Sequence, residues 1–358
     1  MTDTFKTRLD EISQAGNLRS IPAEQHTVAV DFTSNDYLGL GGRSDLRDAF
    51  FAQNNPAELL MTSSASRLLA RPQKDYASLE SCLEKAYGRS ALTLNSGYHA
   101  NSGIIPALCL PGTVIIADRL VHASIIDGIR LSGAQFERFR HNDHGHLVRL
   151  LEKHKDAPSV LIIVESVYSM DGDSPDMDEL AAIRRRHPNA LLYIDEAHAM
   201  GVCGDAGLGM AHNYPEADII IGTFGKALAS CGAFALCSDT IKRWLINRCR
   251  SFIFSTSLPP IMARWSEFIF RHAMDMESER RHLRHLASLL DGRYIYPHIV
   301  GDPHKALSLS DRLSRQGIAV LPIRHPTVPQ GTERLRISLS AAHKESDVRR
   351  LISLLANE

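Results

Sequence analysis

The sequence predicts an α/β protein with a mostly parallel sheet flanked by helices, followed by a smaller α+β domain near the C-terminus. Short apolar runs through the middle of the chain favour strands that are buried on both faces, as parallel strands covered by helices are. Helical stretches that stop at Gly or Pro alternate with these runs. After about residue 255 an Arg- and His-rich helical stretch begins, which indicates a change of domain.

The strands of the larger domain are expected at the apolar runs Thr113–Asp118, Ser159–Ser166, Ala190–His198 and Ala217–Phe224. The helices between them are expected at Ser124–Gly133, Gly145–Lys155 and Met177–Pro188. Because strand and helix alternate, these strands are expected to be parallel. In the smaller domain, strands are expected at Ile318–Ile323 and Arg334–Ser340. The predicted domains are an N-terminal helical segment with an entry strand (1–37), a large domain (38–255) and a small C-terminal domain (256–358).

The composition disfavours several classes of function. Of the 358 residues 44% are apolar, enough for a sizeable core, and 40 basic residues nearly balance 41 acidic ones. This balance gives no reason to expect nucleic acid or an anionic membrane as a partner. The six cysteines form no C-x-x-C pair, and neither a signal segment nor a run of membrane-spanning length is recognisable, which predicts a cytoplasmic location.

Three alternative sites are disfavoured by their spacing. The stretch Gly222–Ala227 is similar to a phosphate-binding loop, but only two residues separate its glycines and Ala227 stands where a hydroxyl is required. The acidic run Asp171–Asp178 has Pro175 where a calcium-binding loop needs Asp or Asn, so a turn is favoured. The histidines of segment 139–146 have no carboxylate or cysteine partner at matching spacing, so no metal site is predicted.

Polar residues follow the ends of the predicted parallel strands, where open α/β sheets bind ligands. They are Asp118 and His122, Glu165 and Ser169, Asp195 and His198, and Thr223 and Lys226. The glycine-rich turn Asn95–Gly103 precedes a helix and can hold a phosphate on its backbone amides. Taken singly, this turn is only a turn and Asp195 is a helix cap. Together they match pyridoxal phosphate, which needs a lysine for a Schiff base, a carboxylate at its ring nitrogen and donors at its phosphate.

The ordered motifs of the chain resemble those of the α-oxoamine synthases, a group of fold-type I pyridoxal-phosphate enzymes. The resemblance rests on "FTSNDYLGL", "LNSGYHAN", "ADRLVHAS", "ESVYSMDGD", "DEAHAMGVCGDAGLG", "TFGKAL", "FSTSLPP" and "RLRISLSAAH", which together span nearly the whole chain. It implies a large cofactor-binding domain with a seven-stranded type of sheet, and a homodimer whose active sites are shared. Within the group, the tail Ile323–His343 is most similar to the biotin-pathway member.

Carried over residue by residue, the resemblance implies a role for each matching position. Catalytic roles fall to Lys226, which binds the cofactor covalently, to Asp195 at its pyridine nitrogen, to His198 at its phenolic oxygen and to His122 on its ring. The remaining cofactor positions are Ser96, Gly97, Tyr98 and Thr223 at the phosphate, Ser169 beside the cofactor, and Ser255 and Thr256 at the phosphate of a neighbouring subunit. Substrate contacts match Arg336, which binds the amino-acid carboxylate, and Asn35, Arg19 and Thr327. From the residues alone, Ser169 also fits a turn and Arg19 an exposed surface position.

The activity implied is the decarboxylative condensation of L-alanine with a pimeloyl thioester, carried on coenzyme A or an acyl carrier protein, to 8-amino-7-oxononanoate. An alternative in the same group joins glycine to acetyl-coenzyme A, because motifs do not reveal the pocket size near the α-carbon and one methyl group gives only about 1–3 kcal/mol of discrimination. A non-catalytic regulator with a DNA-binding module is disfavoured by the near-neutral charge.

The segment Thr62–Glu80 departs from the group's pattern, since Arg71 and Tyr76 stand where relatives carry a glycine and a histidine. We expect both positions near the active-site entrance, where they bear on acyl specificity. The chain is also shorter than relatives around Gln25–Asp31 and Asp291–Pro297.

Overall fold

The computed structural model describes residues 2–21, 28–71 and 73–356. The chain divides into two compact units, of which the larger comprises Leu38–Tyr168 and Asp173–Arg280. The smaller comprises Met1–Tyr37, Ser169–Gly172 and Arg281–Glu358. The sequence-based boundary between 255 and 256 therefore falls inside the larger unit. The segment Gln25–Asp31, which was expected to be shorter than in relatives, lies partly outside the described residues.

The helices and strands carry the following labels. The strands are β1 (Val30–Asp31), β2 (Ser90–Leu94), β3 (Thr113–Asp118), β4 (Gln135–Phe139), β5 (Ser159–Glu165), β6 (Ala190–Asp195), β7 (Ile219–Thr223), β8 (Ala233–Cys237), β9 (Ile295–Ile299), β10 (Ile318–Ala319), β11 (Leu321–Ile323) and β12 (Arg334–Ser338). The α-helices are α1 (Thr2–Gln14), α2 (Ser44–Gln53), α3 (Lys74–Tyr87), α4 (Gly97–Leu108), α5 (Ala123–Ser132), α6 (His144–Lys153), α7 (Met177–Arg186), α8 (Asp239–Arg248), α9 (Arg250–Ile253), α10 (Pro260–Met274), α11 (Glu277–Ser288), α12 (Pro303–Arg315) and α13 (Glu345–Ala356). Among the described residues, no helix combines the length and the apolar character needed to cross a membrane.

A seven-stranded sheet runs through the larger unit in the order β2-β8-β7-β6-β5-β3-β4. The five neighbouring strands β7, β6, β5, β3 and β4 pair in parallel, while β8 runs antiparallel to β7 and to β2. Nearly all residues of β3, β5, β6 and β7 are buried, because helices cover both faces of a parallel sheet. The predicted mostly parallel α/β fold is confirmed.

The end of β6 differs from the prediction for a physical reason. The strand was predicted to continue to His198, but β6 ends at Asp195. A side-chain oxygen of Asp195 accepts a hydrogen bond from the backbone N–H of Ala197 at 2.9 Å, and this Asx turn leads the chain out of the sheet. Turns, not a helix, follow at Ala197–Met200, so Asp195 is not a helix cap.

Helices α4 and α5 begin at the same edge of the sheet, because each follows the end of a strand that runs in the same direction. The hydroxyl of Ser96 caps α4 by accepting the N–H of His99. Gly128 lets the two helices approach closely, since a β-carbon there would lie 2.5 Å from the carbonyl oxygen of Asn101. The first turns of both helices are therefore held side by side.

The smaller unit contains an antiparallel sheet in the order β11-β12-β9 and a parallel pair of β1 with β10. The single strand expected at Ile318–Ile323 is divided in two, because β10 pairs with β1 and β11 with β12. In the central strand β12, Arg336 pairs with Leu321 on one side and Pro297 on the other. This strand carries a predicted substrate residue on a rigid element.

The segment Ser169–Gly172 is a four-residue excursion that belongs to the smaller unit although both of its flanks belong to the larger one. At its base, the N–H of Tyr168 donates to the carbonyl of Asp173 at 2.9 Å. At its last residue, Gly172 has a φ of +66°, and a β-carbon there would lie 1.9 Å from the carbonyl oxygen of Ile295. Only glycine fits this position.

His141 is ion-paired at the base of the excursion. Its Nδ1 lies 2.9 Å from Asp118 and its Nε2 lies 2.8 Å from Asp173, and its ring meets that of Tyr168 edge-on at 4.4 Å. Burial lowers the pKa of His141, but hydrogen bonds to both carboxylates and their charges outweigh this and raise it to about 10. The residue thus has carboxylate partners that its sequence spacing did not reveal. Within the described ranges, no three His, Cys, Asp or Glu residues are placed to hold a metal.

We expect the stability contributed by His141 to depend on pH. Because its pKa in the folded chain is raised to about 10 from an ordinary value of 6.5, the stabilisation is full below the lower value and is lost as pH rises through the higher one. The free energy of unfolding of the wild type, measured by urea denaturation, should exceed that of His141→Gln by more at mildly acidic pH than at alkaline pH. His325→Gln, at an exposed position, is the matched control. An equal difference at both pH values would contradict the ion-pair interpretation.

Candidate active site

A cavity of 160 Å³ lies in the larger unit at the C-terminal ends of β6 and β7, beside the first turns of α4 and α5. Most of the cofactor and catalytic positions predicted in this unit line it. The lining residues are Gly97, Tyr98, Asn101, His122, Ser124, Glu165, Asp195, Ala197, His198, Thr223 and Lys226. The sheet edge thus brings together side chains that lie at or follow the ends of five strands, β2, β3, β5, β6 and β7.

Lys226 and His198 form a close pair in the cavity. Lys226 Nζ lies 2.6 Å from His198 Nε2. The loop that carries the lysine is shaped by Thr223, whose hydroxyl accepts the N–H of Gly225 and donates to the carbonyl of Gly232. The hydroxyl of Thr223 is thereby engaged within the loop, and the amine of Lys226 is directed to the imidazole.

The carboxylate of Asp195 is held by two donors. The side chain is 5% exposed, and its second oxygen accepts a hydrogen bond from Asn101 Nδ2 at 2.7 Å. The first oxygen accepts the N–H of Ala197, as described above. A buried carboxylate needs such donors, and here they fix its orientation in the cavity.

The imidazole of His122 stands at the start of α5. Its Nδ1 lies 2.8 Å from the hydroxyl of Ser124, and the backbone N–H of His122 donates to the carboxylate of Glu165. The side chain is exposed in the cavity, yet partial burial lowers its pKa below the usual 6.5, so the ring is neutral at neutral pH. A neutral flat ring is suited to stacking on an aromatic ligand.

The first turn of α4 provides an anion-binding end to the cavity. Gly97 and Tyr98 line it, and the first N–H groups of a helix have no carbonyl partner within the helix. The hydroxyl of Tyr98 donates to Asp127 on α5. The cavity therefore combines a lysine amine, a fixed carboxylate, a flat imidazole and a helix N-terminus. This set of groups fits pyridoxal phosphate.

Ser255 and Thr256 are not among the residues that line this cavity. Asn95 Nδ2 donates to the hydroxyl of Ser255 at 3.3 Å and to the carbonyl of Thr256. Thr256 also forms an isolated antiparallel bridge with Ser66. The loop is thus held in place by its own chain, with the side chain of Thr256 exposed.

Tyr76 supports this loop. It is 1% exposed, and its hydroxyl donates to the carbonyl of Leu258 at 2.6 Å and lies 3.0 Å from the hydroxyl of Ser257. The guanidinium of Arg67 covers its ring at 4.3 Å. Packing of α3 buries Tyr76 within its own chain, and its position near the entrance stays a prediction. Arg71 is exposed and donates to the carbonyl of Ala70.

Within the smaller unit, Arg336 is buried and held by neutral acceptors. Its Nε donates to the carbonyl of Ser169 at 2.6 Å, and Nη1 donates to the hydroxyl of Ser338 at 2.6 Å. Nη2 donates to Asn35 at 3.0 Å and to the hydroxyl of Tyr37 at 3.4 Å. The structure thus brings together Arg336, Ser169 and Asn35, and it fixes the guanidinium plane.

Arg19 and Thr327, which are far apart in sequence, also meet within the smaller unit. Arg19 Nη2 donates to the hydroxyl of Thr327 at 2.7 Å, and both residues are exposed. Burial lowers the pKa of Arg324, and the positive charge of the neighbouring Arg19 lowers it further. These like charges favour an anion at this surface.

Three polar groups that surround the predicted residues were not predicted from the sequence: Asn101, Ser124 and Tyr193. Glu165, which was expected at this sheet edge, accepts the backbone N–H of His122. Asn101 carried one usable signal, because it lies four residues after Gly97 in a helix whose later residues are largely apolar. Its side chain therefore shares a helix face with the predicted phosphate end.

The chain matches known proteins over nearly its full length. The model of the family described as "Aminotransferase class I and II" matches residues 27–355. A relative from Pasteurella multocida strain Pm70, named "Putative 8-amino-7-oxononanoate synthase", is 44% identical over 94% of this chain and 92% of its own length. A relative of the same name from Glaesserella parasuis is 44% identical over 98% of this chain and 99% of its own length.

Solved structures share the fold. A high-resolution structure of SPT with PLP has a TM-score of 0.88 at 27% identity and covers 99% of this chain and 96% of the other. An 8-amino-7-oxononanoate synthase from Francisella tularensis has a TM-score of 0.75 at 26% identity and covers 92% of this chain and 97% of the other. The fold is therefore that of the fold-type I enzymes, and the cofactor is pyridoxal 5'-phosphate. The chain belongs to the aminotransferase class I and II family of pyridoxal-phosphate-dependent transferases and, within it, to the group of the 8-amino-7-oxononanoate synthases.

Proposed function

We propose that this chain catalyses the decarboxylative condensation of L-alanine with a pimeloyl thioester in biotin biosynthesis. The products are 8-amino-7-oxononanoate, carbon dioxide and the free thiol carrier, which is either coenzyme A or an acyl carrier protein. The observation that carries the proposal is the 2.6 Å approach of Lys226 Nζ to His198 Nε2 in a cavity that Asp195 also lines. The choice of substrates is supported by the names of the relatives.

Lys226 has two proposed tasks. Pyridoxal phosphate, when bound, supplies an aldehyde that joins amines covalently and a ring that withdraws electrons from the α-carbon of the amino acid. Lys226 would hold this group through its Nζ, and the same amine, once free, would take the proton from the α-carbon of the amino acid. His198, at 2.6 Å, orients the amine through a hydrogen bond.

Asp195 and His122 position the cofactor in this proposal. The carboxylate of Asp195, fixed by the N–H of Ala197 and by Asn101, pairs with the ring nitrogen. The neutral imidazole of His122 lies on the ring face. The first turn of α4, capped by Ser96, receives the phosphate. Each of these tasks uses a group that the fold already holds in one orientation.

Residues of the smaller unit are proposed to select the substrates. The planar guanidinium of Arg336 is suited to bind the carboxylate of alanine. The substrate carboxylate then replaces Asn35 and Tyr37 as the acceptor of the hydrogen bonds from Nη2. Ser169 fixes the fork from behind through its carbonyl. Arg19, with Thr327, is proposed to contact the acyl substrate.

A homodimer with shared sites is proposed as the working form. Ser255 and Thr256 lie on a loop of the larger unit outside the cavity of their own chain and are proposed to reach the phosphate in the second copy. The loop directly follows Phe254, which lines a surface recess of 720 Å³. Phe254 is 70% exposed and Leu131, on the same recess, is 69% exposed. These exposed apolar side chains support an interface between protein chains.

Replacement of Lys226 by Ala should abolish covalent cofactor attachment. Reduction with borohydride followed by intact-mass measurement should show one cofactor bound to each wild-type chain and none to Lys226→Ala. We expect turnover to fall by at least about 10³-fold, because both the attachment point and the base are removed. Lys74→Ala, at an exposed position on α3, should behave as the wild type. Attachment that persists in Lys226→Ala would contradict the proposal.

The substrate choice is tested by two pairs of reactants. The purified holoenzyme is incubated with L-alanine and a pimeloyl thioester, or with glycine and an acetyl thioester, and the product mass is measured. We expect a decarboxylated amino-oxo acid from the first pair only. Product from the second pair only would show that the enzyme condenses glycine with an acetyl thioester, and the proposed cofactor roles would be unchanged.

The shared site is tested by a mixed dimer of two inactive chains. One chain carries Lys226→Ala and the other carries both Ser255→Ala and Thr256→Ala, with different affinity tags for isolation of the mixed form. If the loop serves the second copy, one of the two sites contains all native residues, and about half of the wild-type activity should return. A mixed dimer without activity would show that each site depends on its own loop.

A further inference from the structure

We propose that Asn101 is a positioning residue that fixes the carboxylate of Asp195 and the proton position of His122 at the same time. The inference rests on the proposed cofactor roles of those two residues. Asn101 is 1% exposed in α4, and its side chain connects Tyr193 on β6 with Asp195 and with Ser124 on α5. The connection is one continuous series of hydrogen bonds in the floor of the cavity.

Tyr193 sets the orientation of the Asn101 amide. Its hydroxyl lies 2.6 Å from Asn101 Oδ1, and an amide oxygen only accepts, so the phenol is the donor. Burial, and then the charge of Asp195, raise the pKa of Tyr193 well above its usual value, which keeps the phenol protonated. With Oδ1 turned to Tyr193, the two N–H groups of Nδ2 must face the other way.

Both N–H groups of the amide are used on the cavity side. One donates to Asp195 at 2.7 Å and the other to the hydroxyl of Ser124 at 2.9 Å. Together with the N–H of Ala197, the first bond leaves the Asp195 carboxylate one orientation. An Asp in place of Asn101 would remove these donors and set a like charge against Asp195.

The second bond reinforces the proton position on His122 that the backbone N–H of Ser124 also favours. Because Ser124 accepts from Asn101, its hydroxyl hydrogen is free to donate to His122 Nδ1 at 2.8 Å. The backbone N–H of Ser124 also points to Nδ1, at 3.2 Å. Nδ1 is therefore an acceptor, and the proton of the neutral ring lies on Nε2. The amide of Asn101 is thus hydrogen-bonded to Asp195, the proposed partner of the cofactor's ring nitrogen, and through Ser124 to His122, the proposed stacking partner of the ring.

The test uses the cofactor itself and needs no substrate. The apo-protein is titrated with pyridoxal phosphate to measure its affinity, and the visible absorbance of the bound cofactor is recorded as a function of pH. The variants are Asn101→Leu, which keeps the side-chain volume and removes all donors, and Tyr193→Phe, which removes only the group that orients the amide. Asn213→Leu, at an exposed position, is the matched control.

We expect Asn101→Leu to weaken cofactor affinity about tenfold or more, because a bond to a charged group is lost, and to shift the pH dependence of the absorbance. Tyr193→Phe should produce a smaller shift in the same direction, and it serves as the test if Asn101→Leu does not fold. Wild-type affinity and an unchanged pH profile in either folded variant would overturn the proposal. Since no substrate is present, this result is independent of whether the enzyme uses alanine or glycine.

Discussion

The buried carboxylate of Asp195 is the constraint on which the arrangement of the larger unit depends. An acid at the end of an apolar strand requires donors, and the chain supplies them from the turn at Ala197 and from helix α4 through Asn101. The second donor requires α4 to lie close to the sheet edge and to α5. Gly128 makes that approach possible, since any β-carbon there would strike the backbone of α4. Packing and chemistry therefore share the same contacts.

The parallel strands of the sheet were predictable because burial on both faces makes them apolar throughout. The strands β2, β4 and β8 were not predicted, and β4 shows why. At the edge of the sheet it reads Gln135–Phe139, in which polar and apolar residues mix, and its pairing comes only from β3. In the smaller unit, Ile318–Ile323 reads as one strand but pairs with two different partners. Pairing partners are a property of the folded chain that local pattern does not contain.

Lys226, Asp195 and His198, which line the cavity, were recognisable in the sequence because they end or follow apolar strands, where polar side chains are unexpected. The groups that orient them carried a weaker signal. An asparagine in a helix has the same local pattern whether it faces solvent or a buried carboxylate. Tyr76 shows the same limit, since its replacement of a histidine was visible in sequence while its burial behind the Ser255–Ser257 loop depends on tertiary packing.

The discontinuity of the smaller unit has a consequence for how such proteins can be recombined. Its folded body draws on the N-terminal segment, on the tail after Arg280, and on the excursion Ser169–Gly172, which is encoded in the middle of the other unit. A gene fragment that begins after residue 280 would lack the carbonyl that holds Arg336 and the glycine that fits against Ile295. Replacement of the C-terminal third alone by that of a relative would therefore separate residues that are in contact in this unit, whereas replacement of all three pieces together would keep those contacts.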